Sequence, residues 1–326
     1  MSPHAPIPTS PRRAVWPFAL AGVLAVLLVG GAATFFLGRR DAPTAAVSPD
    51  SVQTLADGVS VGGTTTGAAK MLADTLTARG LECSVRFTSA NGGHAGCFAA
   101  VNGASVAVVY QYQPDGAVNA LTINVEAKGE TAPTLQAVTA TVGQVVFPKD
   151  LPGLMSTLRN SWGGALEASW GKYEIVGRGA KTVLNAEKFG NKQLAIPSLH
   201  LDTTETEFAD ALTADGYTCA ADHQTCQRKP GLALKFSGPD DGGLTDLVTT
   251  AAAGAETGKA FEELRGTVFG HLRGAAVAPV QEWIGRNADG RSHIAYVAGW
   301  RVSLEVSPAK QTRLTLFNEW FFLQMT

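Results

Sequence analysis

The chain is short of charge and shorter still of the side chains that do chemistry. Charged residues make up 17% of its 326 positions and aromatics 8%, with four cysteines and six histidines. Each shortage removes a class of function. Four of the 26 bases, Arg12, Arg13, Arg39 and Arg40, fall in residues 1–40, which hold no acid. The rest therefore carries 22 bases against 28 acids, a net of −6. Nucleic acid demands a basic patch to meet its phosphates, and a mildly acidic body offers none. No Cys-x-x-Cys is present, so a thioredoxin-like redox role has no footing. His-Glu-x-x-His and any His pair at i, i+4 are also missing.

Partial motifs fail on context. "GVSVG" at 58–62 has the G-x-S-x-G pattern, but a hydrolase elbow needs a strand before it and a helix after it, and this copy lies in a stretch rich in Ala, Ser, Thr and Gly. "GRGAKT" at 177–182 lacks the spacing of a phosphate loop. Asp240 and Asp241 beside Gly242 read as a turn rather than a Ca²⁺ site. His4 lies in the N-terminal tail, and His200, His271 and His293 are scattered.

What is present begins with an uncharged run from Val15 to Gly38. At about 1.5 Å per residue it spans the roughly 30 Å hydrocarbon core of a bilayer. Trp16, Phe18, Phe35 and Phe36 stand at its ends, where aromatics favour the interface. It is longer than the roughly 7–15 apolar residues of a signal peptide. The expected order is a cytoplasmic tail at 1–14, a single transmembrane helix at 15–38 and a flexible stalk at 39–66, rich in Ala, Pro, Ser, Thr and Gly.

The body then repeats itself. "LADTLTARGLEC" at 72–83 and "FADALTADGYTC" at 208–219 align without a gap, and Gly80 and Cys83 match Gly216 and Cys219. Both copies continue to a Pro-Asp turn, "QPDGA" at 113–117 and "GPDDGG" at 238–243, then to helical stretches, and end in Trp-containing strands. A duplication is expected, with unit 1 at 67–192, a linker at 193–203 and unit 2 at 204–326. Within a unit the pattern predicts a first helix at 67–79 or 204–215, with Thr204 or Thr206 as N-cap and Gly80 or Gly216 at the C-cap. Strands follow at 105–113, 120–127 and 232–236, then two helices, then strands. The order α-βββ-αα-ββ predicts an α+β fold: antiparallel sheets with helices on one face.

The four cysteines fit that frame. Cys83 and Cys97 bracket one hairpin and Cys219 and Cys226 a shorter one. Facing residues of antiparallel strands lie close enough for a disulfide. Closing the longer loop removes roughly 3 kcal/mol of unfolded-state freedom and the shorter slightly less. The rival is zinc, because His94-x-x-Cys97 and Cys219-x-x-x-His223-x-x-Cys226 hold thiolate and imidazole ligands. Each copy offers only three, at unlike spacing, so a structural intra-hairpin disulfide in each unit is the expectation and no metal is assigned. Disulfides persist outside the cytoplasm, which orients the anchor with its N-terminus inside and the body extracytoplasmic at the plasma membrane.

The sequence shows no convergent acid, base and nucleophile. The functional expectation is a non-catalytic, membrane-anchored module that binds a protein, peptide or envelope ligand, with no cofactor, no catalytic residue and no nucleic-acid partner; its oligomeric state is left open. The alternatives are an envelope hydrolase built on a carboxylate pair drawn from Glu167, Glu174, Glu282 and Glu305, or a regulatory membrane partner acting through the tail. Trp162, Trp170, Trp283, Trp300 and Trp320 are expected to fill cores.

Overall fold

A computed structural model describes residues 53–319, apart from 56–57, 102–103, 161–162, 229–230, 240–241, 252–261, 308 and 310. The expected tail, membrane span and first part of the stalk lie outside the described residues, as do Trp162, Asp240, Asp241 and Trp320. Among the described residues no helix is long and apolar enough to cross a membrane.

The sequence "GAAKMLADTLT" forms helix α1 (Gly67–Thr77), which buries Ala69, Leu72 and Leu76. Its end is a Schellman turn. Leu81 N–H donates to the Leu76 carbonyl at 3.1 Å, and Gly80, at φ 87°, takes the left-handed position that lacks a Cβ penalty. Four strands follow: β3 (Glu82–Ser89), β4 (Gly92–Val101), β5 (Ala104–Tyr112) and β6 (Val118–Glu126). Helices α2 (Ala132–Val146) and α3 (Leu151–Asn160) come next, then β7 (Gly164–Glu167), β8 (Gly171–Val176) and β9 (Lys181–Lys188).

The second half repeats this list. Helix α4 (Glu205–Ala214) starts on a capping box made by Thr204 and Glu207 and ends with Tyr217 N–H on the Leu212 carbonyl at 3.0 Å, Gly216 holding φ 86°. Strands β10 (Thr218–Cys219), β11 (Thr225–Arg228), β12 (Leu232–Ser237) and β13 (Asp246–Ala251) follow. A π turn (Leu264–Val268) running into a 3₁₀ turn (Phe269–His271) stands where α2 stood. Then come α5 (Val277–Arg286), β14 (His293–Val297), β15 (Trp300–Val306) and β16 (Thr312–Phe317). Both sheets are antiparallel and share one strand order, β3-β4-β5-β6-β9-β8-β7 and β10-β11-β12-β13-β16-β15-β14. Each half is thus α-ββββ-αα-βββ, one strand richer in each run than the sequence pattern gave.

The additional strands have local causes. "IAYVAGWRVSLEVS" reads as one strand but folds as the β14–β15 hairpin, because Ala298 (φ 48°) and Gly299 (φ 83°) form a two-residue turn between the facing pair Val297 and Trp300. "GRGAKT" is the β8–β9 hairpin turn, with Gly177 and Gly179 at positive φ. In the described part of "AFEELRGTVFGHLRG", Glu262 and Glu263 are α-helical and the chain then continues as π and 3₁₀ turns, where Gly266, Gly270 and the β-branched Thr267 and Val268 are poor helix formers.

The stalk differs from its expected extent. From Gln53 onward the chain belongs to the fold: β1 (Gln53–Thr54) and β2 (Ser60–Val61) extend the first sheet beyond β3, so "GVSVG" sits on an added edge hairpin rather than on an elbow. Val61 is fully buried, and it packs in the core of the second half, with Leu199, Leu201 and Trp300. The linker is likewise held. Leu199 and Leu201 are buried in that core, while Leu194 N–H donates to Gln111 of the first half at 2.7 Å.

Candidate functional site

Both disulfides are formed, and each lies at a facing pair of the register: Cys83 opposite Cys97 and Cys219 opposite Cys226, with Cα atoms 4.0 Å apart in both. The pairs also sit alike in the two halves. Cys83 Sγ lies 3.4 Å from the Ala73 carbonyl of α1, and Cys219 Sγ 3.5 Å from the Ala209 carbonyl of α4. These sulfurs are spent on each other, which removes the thiolates the zinc alternative needed. His94 is fully buried, stacked on Phe87 at 4.9 Å and held by Gln111, and burial followed by the nearby Arg86 charge lowers its pKa to about 3. It is a neutral core histidine. His223 occupies a turn at φ 56°, and the described residues hold no group of three His, Cys, Asp or Glu side chains set to hold a metal.

Of the four sequence-selected carboxylates, two come near each other and two do not. Glu167 on β7 faces Lys172 on β8 at 3.3 Å, and Glu174 on β8 accepts from Asn185 on β9 at 3.4 Å. The β7–β8 register puts these two on one face of the hairpin as diagonal neighbours. Glu282 lies on α5 beside Arg286, and Glu305 lies on β15, each on a different element from that pair. Among the tryptophans, Trp283 and Trp300 are buried, while Trp170 is partly covered by Phe147 and Tyr173.

The most structured site is one the sequence did not announce. Each sheet carries its helices on one face and leaves the other bare. The bare face of β14 lies across the bare face of β3, β4 and β5, closing on Phe98, Ala107, Ile294 and Tyr296, all buried. Phe98 meets Tyr296 edge to face at 5.3 Å. A buried polar network seals one side of this contact. The register of β3 shifts between Val85 and Phe87, a bulge that re-aims Arg86 into the interface at 1% exposure. Its guanidinium donates to the carbonyls of Gly299 (3.3 Å) and Glu319. The Glu319 carboxylate accepts from Arg301 at 2.7 Å and from the Tyr296 hydroxyl. Arg301 lies over Phe98 at 5.0 Å. Burial dominates the shift of Tyr296, keeping its hydroxyl protonated as a donor; burial is the largest influence on Arg301 and opposes its charge, but Glu319, Tyr296 and Glu126 together outweigh it and hold the guanidinium charged.

Past this seal the two sheets diverge and leave a groove of about 1010 Å³. Its first wall carries Ser105, Glu126, Lys128 and Lys181, from the ends of β5, β6 and β9. Its second carries Ser292, Glu305, Gln311 and Arg313, from β14 to β16. Glu126 is spent on Lys181 at 2.6 Å, the first cause of its lowered pKa. Among the described residues Lys128, Arg313 and Glu305 form no ion pair; the register sets Glu305 opposite Arg313 on the second wall, and Lys128 stands on the first. A smaller hollow of about 420 Å³ lies on the bare face of β10 to β13, beside the second disulfide. Compared with protein-family models, curated proteins and solved structures, the chain matches none of them.

Proposed function

We propose that this chain is a non-catalytic binding module, presented outside the cytoplasm by the anchor at 15–38, and that the inter-sheet groove is the seat of its ligand. The observation that carries this reading is the groove itself: it is large enough for a ligand, lined by hydroxyl, amide and charged groups, and formed only where the two halves diverge. Lys128 and Arg313 favour an anionic ligand that bridges the walls. The two disulfides support an oxidising compartment.

The groove reading is tested by calorimetric titration of the purified full chain with end-capped acidic peptides and, separately, with carboxylate-bearing glycan fragments. Binding by one of these classes is expected, with K128E/R313E weakening it at least tenfold. Binding that the double variant leaves unchanged would place the seat elsewhere. Turnover of either probe, lost on E174Q, would favour the hydrolase alternative.

A further inference from the structure

The sheet-to-sheet contact contains one ionisable group whose geometry demands a particular protonation state. His293, the first residue of β14, is 11% exposed and directs both ring nitrogens at carboxylates. Nδ1 lies 2.8 Å from Glu82 Oε1, on β3 of the first half, and Nε2 lies 2.9 Å from Asp289 Oδ1, in the turn before β14. A neutral imidazole carries one N–H and donates once; only the imidazolium donates twice. Two ionised carboxylates at hydrogen-bond distance therefore fit the charged ring alone.

We propose that His293 is a proton-operated clamp between the two halves: as the imidazolium it ties β14 to β3, and on losing its proton it gives up one of its two ties and the charge attraction of both. Gly290, Ser292 and Ile294, which flank Asp289 and His293 in sequence, line the groove, so the clamp holds one wall of it. The inference stands whatever the groove binds.

The surroundings agree. Other charged groups on the elements around the ring are Arg86 on β3, Glu282 and Arg286 on α5, Arg291 in the preceding turn, Arg301 and Glu305 on β15, and Glu319 after β16. Among the described residues only Glu82 and Asp289 hydrogen-bond the ring. Arg291 is itself drawn to Asp289 at 3.8 Å. Burial pulls the His293 pKa down, but the bonds and charges of Glu82 and Asp289 outweigh it and raise the value above the ordinary one. A raised folded-state pKa adds stability that is fully present below the unfolded value of about 6.5 and is lost as pH climbs through the folded value. The clamp is tight below the His293 midpoint while Glu82 and Asp289 stay ionised, and slack above it.

The test uses the purified full chain. Histidine Cε1–H resonances are titrated by NMR, the His293 signal being the one lost in H293Q. The exchange protection of the Tyr296 amide is followed at the same pH values. That amide donates to Ser84 Oγ across the sheets at 2.7 Å, so its protection reports on the contact itself. The expected result is a His293 midpoint above about 6.5, a fall in Tyr296 protection as pH rises through that midpoint, and loss of this dependence in H293Q. E82Q, which keeps a neutral acceptor in place, should lower the midpoint. A wild-type midpoint at or below about 6.5, or a Tyr296 amide whose pH dependence survives in H293Q, would overturn the clamp. Should H293Q fail to fold, the E82Q shift decides: no downward movement refutes the proposal.

Discussion

Equivalent residues of the two halves have opposite surroundings, and their identities follow. The register aligns Gly96, Phe98 and Val109 of the first sheet with Thr225, Gln227 and Lys235 of the second. The first set is roofed by β14, and Phe98 is buried; the second set is exposed, apart from its backbone pairing. Gly96 shows the constraint most sharply. A Cβ there would lie 2.5 Å from Phe98 Cζ and 2.7 Å from Tyr296 Cε2, both on buried rings. In a bare strand, replacing glycine stabilises by roughly 0.5–1 kcal/mol, because glycine loses the most backbone freedom on folding. Under β14 the sign should reverse. Gly96→Thr, which installs the residue the second half carries at this place, should cost about 1–3 kcal/mol through overpacking. Gly153→Ala, on α3 with nothing within 4 Å, should instead gain several tenths of a kcal/mol. Urea denaturation of the full-length variants checks both. None of this was legible from the cysteines and turns, since Gly96 reads there as one more residue of a Gly-rich loop.

At the scale of the element, the two disulfides close hairpins of unlike strength. The first joins strands of eight and ten residues, which an extended ladder also holds. The second ends β10, a strand of two residues, and closes a loop of only seven positions. Chain entropy assigns about 3 kcal/mol to the first and about 2.5 kcal/mol to the second. Local consequences should rank the other way. C83S/C97S should lower the unfolding midpoint while leaving β3 and β4 paired, whereas C219S/C226S should also release β10, seen as rapid amide exchange of Thr218 and Cys219Ser under conditions that keep β12 protected. Equal local protection in both variants would contradict this. The hairpins, the Schellman turns and the Thr204 cap were readable because each is a local pattern with a fixed offset. Strands β7, β9 and β13 were not: "GALE", "KTVLNAEK" and "DLVTTA" lack a sustained alternation, β7 has four residues and a single neighbour, and β9 and β13 are each completed by a strand distant in sequence, β6 and β16. The inter-sheet groove was invisible for the same reason, since its walls come from opposite halves.

For the whole molecule, duplication yielded two like sheets joined unlike copies. The second half lends β14 to the first, and the first sheet's added edge strand lends Val61 to the core of the second. Each half thus completes itself with a piece of the other or of its leader, and neither core is closed by its own unit alone. The described body should therefore unfold as one cooperative system. Val61→Ala tests this, because Val61 is fully buried in the core cluster of the second half yet belongs to a strand paired with β3. Removing two buried methyl groups should cost about 1–3 kcal/mol. Trp283 and Trp300 report on the second half and Trp170 on the first. In urea the fluorescence of single-Trp versions, one keeping Trp170 and one keeping Trp283, should show the same midpoint, and Val61→Ala should move both by the same amount. If only the Trp283 transition shifted, the halves would be independent domains that merely touch. The His293 clamp and the groove wall would then act on a loose joint rather than on a shared fold.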